Sequence, residues 1–182
     1  MADPLVRKRR RAALGTAAFA VAPMVAAGVV PWLFTRWRVR RPVPGGTPAR
    51  VVGAVLAAGG TAVVAHSYVR FVTEGLGTPA PIAPPERLVV GGIYRYVRNP
   101  IYVALGASVV GQALLLGRPK LLLYPAVAAG PVVAFVRLYE EPVLARRFGA
   151  EYEEYRRNVP AWLPRMRFSP TIKSRWSLSK ID

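Results

Sequence analysis

Residues 101–117 read IYVALGASVVGQALLLG, residues 118–120 read RPK, and residues 121–136 read LLLYPAVAAGPVVAFV. Neither apolar run carries a charge, and only Arg118-Pro119-Lys120 separates them. A helix rises about 1.5 Å per residue and a bilayer core is about 30 Å thick, so about 20 residues span it. Each run falls slightly short alone and is completed by interfacial residues, so the pair reads as a tight membrane hairpin. Working outward, residues 12–34 give 23 residues without a charge and residues 51–69 give 19 more. Four such runs in 182 residues leave no polar faces to cover them in water. The expectation is an all-α, polytopic membrane helical bundle of about four transmembrane helices, with a C-terminal hairpin and an interfacial C-terminal helix. It forms one integral membrane domain over residues 1–182: a two-helix part (1–72), a core (73–164) and a basic extension (165–182).

Composition excludes several chemistries. Hydrophobic residues make up 53% and charged residues 19%, against roughly 25% charged in soluble domains. The chain has no cysteine, which removes disulfides, thiolate metal sites and cysteine nucleophiles. A single histidine, His66, rules out a multi-histidine metal site, so no metal is expected. The net charge of +17, from 26 Lys+Arg against 9 Asp+Glu, calls for nucleic acid or an anionic membrane surface. The cations are split among segments flanking the apolar runs, which favours membrane lipids over nucleic acid.

Arg7-Lys8-Arg9-Arg10-Arg11 before an Ala-rich run resembles a signal peptide, but such an apolar region is normally about 7–15 residues long. The 23-residue run is read as an anchor, with Pro23 and Pro31 bending it. With the N-terminus in the cytoplasm and four spans, 19 Lys and Arg lie on the cytoplasmic side and seven on the other, which sets both termini inside. Arg36, Arg38, Arg40, Arg41 and Arg50 oppose that orientation. The preference for Arg over Lys, 22 to 4, points to a GC-rich bacterial genome and hence a bacterial plasma membrane.

The cytoplasmic segments carry the informative pattern. Pro79, Pro81, Pro84 and Pro85 make residues 78–85 a stiff extended loop. Gly91-Gly92 permits a tight turn or close approach to a ligand. Asn99-Pro100 reads as a helix start, because Asn caps well and Pro suits the first helical position; the free amides there suit an anion. Glu140-Glu141 stands where the fourth run ends, and ionisable groups at membrane depth are costly and functional. Leu144, Phe148, Tyr152 and Tyr155 form one stripe on a helix that lies on the membrane or caps a pocket, with Gly149 interrupting it. Gly59-Gly60 marks close helix packing, and His66, near the end of the second span, is read as a packing histidine in preference to one lining the acceptor pocket.

Three patterns in order, Tyr94-x-x-x-Arg98-Asn99-Pro100-x-Tyr102, Glu140-Glu141-x-x-Leu144-x-x-x-Phe148-Gly149-x-Glu151-Tyr152-x-x-Tyr155 and Val159-Pro160-x-x-Leu163-Pro164, resemble the isoprenylcysteine carboxyl methyltransferase family. That family is similar in turn to the phospholipid N-methyltransferases. The resemblance covers residues 78–164 and implies a polytopic enzyme that uses S-adenosylmethionine without a Rossmann domain. It implies cofactor contacts at Glu86, Arg87, Leu88, Val89, Tyr94, Asn99, Pro100, Ile101 and Tyr102, with Glu140 holding the methionine ammonium. Two departures stand out. Asn99 replaces the family's usual histidine, and the expected acceptor-binding arginine falls in register with Val136, so it is assigned to the adjacent Arg137.

The implied reaction is methyl transfer to a lipophilic acceptor entering from the bilayer, either a carboxylate of a prenyl-cysteine-like or other small molecule, or a phospholipid or amine nitrogen. Alignment and exclusion of water carry most of such a displacement. Arg98, Asn99 and Glu141 are the expected catalytic residues, with Arg98 or Arg137 to orient a carboxylate and Glu141 or Tyr102 to take a proton from an amine. A non-enzymatic membrane protein that binds anionic lipid or a partner through residues 165–182 is the remaining reading.

Overall fold

The computed structural model describes residues 20–41, 44–75 and 86–164. The basic segment 7–11, the start of the first apolar run, the proline loop 78–85 and the extension 165–182 lie outside the described residues. Among those described, all regular structure is helical. The long elements are α1 (Val21–Thr35), α2 (Gly46–Arg70, continuing through a π turn at Phe71–Gly75), α3 (Pro100–Leu116) and α4 (Pro119–Phe148). A short α5 (Ala150–Asn158) follows, and a 3-10 turn at Gly92–Arg95 precedes α3.

α2 and α4 are long and apolar enough to cross a membrane, whereas α1 and α3 are apolar but shorter. Leu123, Val127 and Leu138 on α4 and Phe34 on α1 stand 65%, 74%, 80% and 72% exposed. Large apolar patches facing water are rare on soluble monomers; in hydrocarbon the same side chains lose nothing.

The hairpin forms at the expected place. α3 stops at Gly117, whose left-handed φ of 63° turns the chain back, and Arg118 N–H closes the turn onto Ala113 O at 2.9 Å. Pro119 then opens α4 with one 3-10 turn over Pro119–Leu122. The closest helix contact, however, is between α2 and α3. A Cβ placed on Gly53 would stand 2.7 Å from Gly111 O, and one on Gly111 would stand 2.6 Å from Gly53 O. Gly60 packs with equal closeness on Ala104 and Ser108. Small residues let the backbones touch, which is how helices associate where lipid removes the hydrophobic drive. Gly59, expected to share this role, faces open space.

One more expectation is corrected. The apolar run ends at Val136 but the helix does not: α4 is 30 residues long, Pro119–Phe148, and breaks at Gly149, where an interruption was expected, with φ 52° and ψ −126°. Glu140 and Glu141 therefore sit inside one continuous helix. It stays continuous because a π turn at Val136–Glu140 widens the helix just before Pro142. Proline has no N–H and its ring crowds the carbonyl four residues back, and a π turn relieves both. α1 uses the same combination, a π turn at Val25–Val29 followed by Pro31.

Candidate active site at one end of the bundle

The polar residues gather where α3 begins, α4 nears its end and α5 folds over both. Arg98 Nη1 donates to Glu141 Oε1 at 2.7 Å and to Tyr152 Oη at 3.2 Å. The two charged side chains are only 12% and 17% exposed. This ion pair joins the start of α3 to α4, and Tyr152 adds α5. Glu140 turns to a different partner: Tyr102 Oη donates to its Oε2 at 3.1 Å. Among the described residues Glu141 has a cation and Glu140 has only a hydroxyl.

α5 is held down as its apolar stripe requires. Tyr152, Tyr155 and Val159 are buried together, with Leu88, Val90, Leu144 and Phe148 packed around them. Tyr155 Oη donates to Tyr94 O at 2.8 Å, in the loop before α3. Burial, with the Glu141 carboxylate next in weight and Arg98 opposing, pushes the Tyr152 hydroxyl up to about 12. Burial likewise raises Tyr155 and Tyr94 well above the ordinary phenol range. All three remain neutral hydroxyls at any physiological pH.

Asn99 behaves differently from its sequence reading. α3 does start at Pro100, but the Asn99 side chain does not cap it. Nδ2 and the backbone N–H of Asn99 both donate to Ala161 O, at 3.1 and 3.2 Å. With Arg98 N–H on Pro160 O at 2.9 Å, these bonds strap the segment after α5 across the head of α3. Trp162 is thereby brought to 6.4 Å, ring to ring, from Tyr102.

The remaining expected residues divide clearly. Val89, Tyr94, Asn99 and Pro100 are buried, Leu88, Ile101 and Tyr102 are partly buried, and Glu86 and Arg87 are exposed. Arg137 is exposed, and among the described residues it joins neither the Arg98–Glu141 pair nor Glu140; its neighbour Val136 is 1% exposed. The π turn occupies this interval and shifts register by a residue, which is why spacing alone left the arginine ambiguous.

Two residues of α2 belong to this end of the bundle and were missed. Ser67 Oγ, Tyr68 Oη and Tyr94 Oη are all buried without a hydrogen-bond partner among the described residues. Ser67 is one turn before Phe71, whose ring meets that of Tyr94 edge-on at 5.8 Å. The signal was the polar pair Ser67-Tyr68 late in an apolar run. His66 is exposed rather than packed; it stands by Arg70 Nε at 3.4 Å and lines an open groove of about 680 Å³ with Ala62, Gly92 and Tyr96.

Apolar helices capped at one end by a half-buried polar cluster define a helical membrane protein with a candidate site at the membrane boundary. Residues 48–151, more than half of the chain, match the family described as phospholipid methyltransferase, and the chain belongs to that family. It is also similar to protein-S-isoprenylcysteine O-methyltransferase of Schizosaccharomyces pombe, 36% identical over 77 residues. That match covers 42% of this chain and spans one third of the relative's length. No solved structure matches.

Proposed function

We propose that the protein is an integral membrane methyltransferase that uses S-adenosylmethionine and methylates a lipophilic acceptor. One observation carries the reading: Glu140 is an acid inside a 30-residue apolar helix whose described partner is a hydroxyl rather than a cation. Such a carboxylate fits the ammonium of a bound methionine moiety. The orphaned hydroxyls of Ser67, Tyr68 and Tyr94 fit a polar ligand in the same way, since buried polar atoms rarely stay unpaired.

In this reading Glu140 and Tyr102 hold the cofactor, with Tyr94 and the loop 86–89 beside them and Asn99, Pro100 and Ile101 at the head of α3. The cofactor supplies an activated methyl group. The chain supplies placement and dryness: Tyr102 fixes the Glu140 carboxylate, Asn99 straps Ala161 and Trp162 over the site, and α5 excludes water. Arg98 and Glu141 act as one unit that clamps α3, α4 and α5 together, while Arg98 Nε keeps a buried, unpartnered donor for an acceptor oxygen. Arg137, at the rim, is proposed to meet the acceptor from outside.

The acceptor class follows from what is left idle. Glu141 is engaged by Arg98 and Tyr102 is engaged by Glu140, so neither serves readily as a base. A carboxylate acceptor, like that named for the fission-yeast relative, needs none. The family's description favours a second reading, transfer to a phospholipid or amine nitrogen. The bundle is proposed to span a bacterial plasma membrane about four times with both termini cytoplasmic, its basic segments resting on anionic lipid.

Calorimetric titration of detergent-purified protein with S-adenosylhomocysteine tests the reading, alongside a Glu140→Ala variant. Micromolar binding that the variant loses is expected. A folded wild type that does not bind overturns the enzymatic reading in favour of a lipid- or partner-binding protein.

A further inference from the structure

We infer that the end of the bundle opposite the candidate site is a binding surface for the phosphate headgroups of anionic phospholipids. The two ends are separated by the length of α3, 17 residues, or about 25 Å at 1.5 Å per residue. That falls slightly short of the roughly 30 Å of a bilayer core, so residues beyond both ends of α3 lie at headgroup depth.

The far end is assembled from three elements. Arg36, Arg38, Arg40 and Arg41 follow α1, Arg50 lies in the second turn of α2, and Lys120 opens α4; all six are exposed. Tertiary bonds join the loop after α1 to the α3–α4 turn, with Arg40 N–H donating to Leu116 O at 2.9 Å and Arg118 Nε to Arg38 O at 3.1 Å. The packing of Gly53 on Gly111 and Leu115 sets the start of α2 at the same end. Among the described residues no acidic side chain pairs with this charge. No Asp or Glu occurs in residues 4–73 or 87–139, the stretches that hold every one of these cations.

The loop is also built, not merely basic. Thr35 Oγ1 accepts the Trp37 N–H at 3.1 Å, and the Arg36 guanidinium sits 4.2 Å over the Trp32 ring. Arg36 and Trp37 both take left-handed φ values, 48° and 51°, a conformation that side-chain-bearing residues hold only under constraint. Trp37 is left 58% exposed beside Leu33 and Phe34, 56% and 72% exposed. Tryptophan next to apolar surface marks the depth of lipid headgroups, and at that depth the anions within reach of the arginines are lipid phosphates, each cation adding to the attraction. Charge complementarity at headgroup depth selects this occupant over nucleic acid. The inference is independent of the methyltransferase reading.

Tryptophan quenching by brominated lipid tests it. The full chain carrying Trp162→Phe and Trp176→Phe retains Trp32 and Trp37 as reporters. It is placed in phosphatidylcholine vesicles containing a minority of phosphatidylglycerol, with bromine on one lipid or the other. Brominated phosphatidylglycerol is expected to quench roughly threefold or more beyond its mole fraction relative to phosphatidylcholine. The excess should vanish when Arg36, Arg38, Arg40 and Arg41 are all changed to Gln, and persist when all four are changed to Lys. Equal quenching in the parent protein overturns the proposal. So does an excess that survives the Gln variant, or one lost in the Lys variant, where charge is kept.

Discussion

Two of the three π turns among the described residues, those that lead into a proline, make an informative pair. Each is followed by one residue and then a proline: Val25–Val29 precedes Pro31 in α1, and Val136–Glu140 precedes Pro142 in α4. In α1 the carbonyl that Pro31 leaves unbonded, Ala27 O, is taken by Gln112 Nε2 of α3 at 2.6 Å. The defect is sealed by a neighbouring helix and becomes part of the packing. In α4 the widened turn ends on Glu140, and α3 answers with Tyr102 instead. One local device thus mends a helix in one place and displays an acid in another, and what faces it decides which.

The comparison breaks most sharply at the clamp beside the second turn. Arg98→Gln leaves the Glu141 carboxylate poorly exposed and without its cation, so a loss of about 3 kcal/mol is expected in reversible unfolding. Arg98→Gln with Glu141→Gln should recover most of it, because the uncompensated charge is removed. Glu140→Ala should cost on the order of 100-fold in S-adenosylhomocysteine affinity, the scale for truncating one side of a buried charged contact, with little change in unfolding. Pro142→Ala removes the reason for the π turn; re-registration would rotate Glu140 away from Tyr102, and roughly tenfold weaker binding is expected from one displaced charge-assisted contact. Smallest is Gln112→Leu at the sealed turn, which should lower stability by about 1 kcal/mol through the orphaned Ala27 carbonyl and leave ligand affinity alone. Equal effects of Gln112→Leu and Glu140→Ala on affinity would erase the distinction.

Much of this architecture was legible before the fold. Apolar run length announced the hairpin, and Arg118-Pro119-Lys120 marked its turn. Asn99-Pro100 marked the head of α3, and the order of the three polar patterns pointed to the family that residues 48–151 match. What escaped is what depends on partners distant in sequence. Asn99 satisfies ordinary capping rules, yet its amide goes to Ala161, 62 positions away. Glu140 and Glu141 are adjacent, yet Arg98 claims one and Tyr102 the other. The π turn is a local event whose only sequence mark is Pro142, and without it the register of Arg137 had no anchor. Ser67 and Tyr68 carry no pattern in sequence that singles them out; only the fold shows their hydroxyls buried without a hydrogen-bond partner among the described residues.

The glycine seam between α2 and α3 has a bearing on how this protein can change over generations. At Gly53 and Gly111 the atoms in the way of an added methyl are main-chain atoms of the facing helix, which no rotamer change can move aside. Drift along the lipid-facing side of α4 meets only fluid acyl chains and is accommodated by them. The seam admits no such compromise, so a saturation library should show a narrow band of intolerance there, running the height of the bundle through residues that touch no ligand.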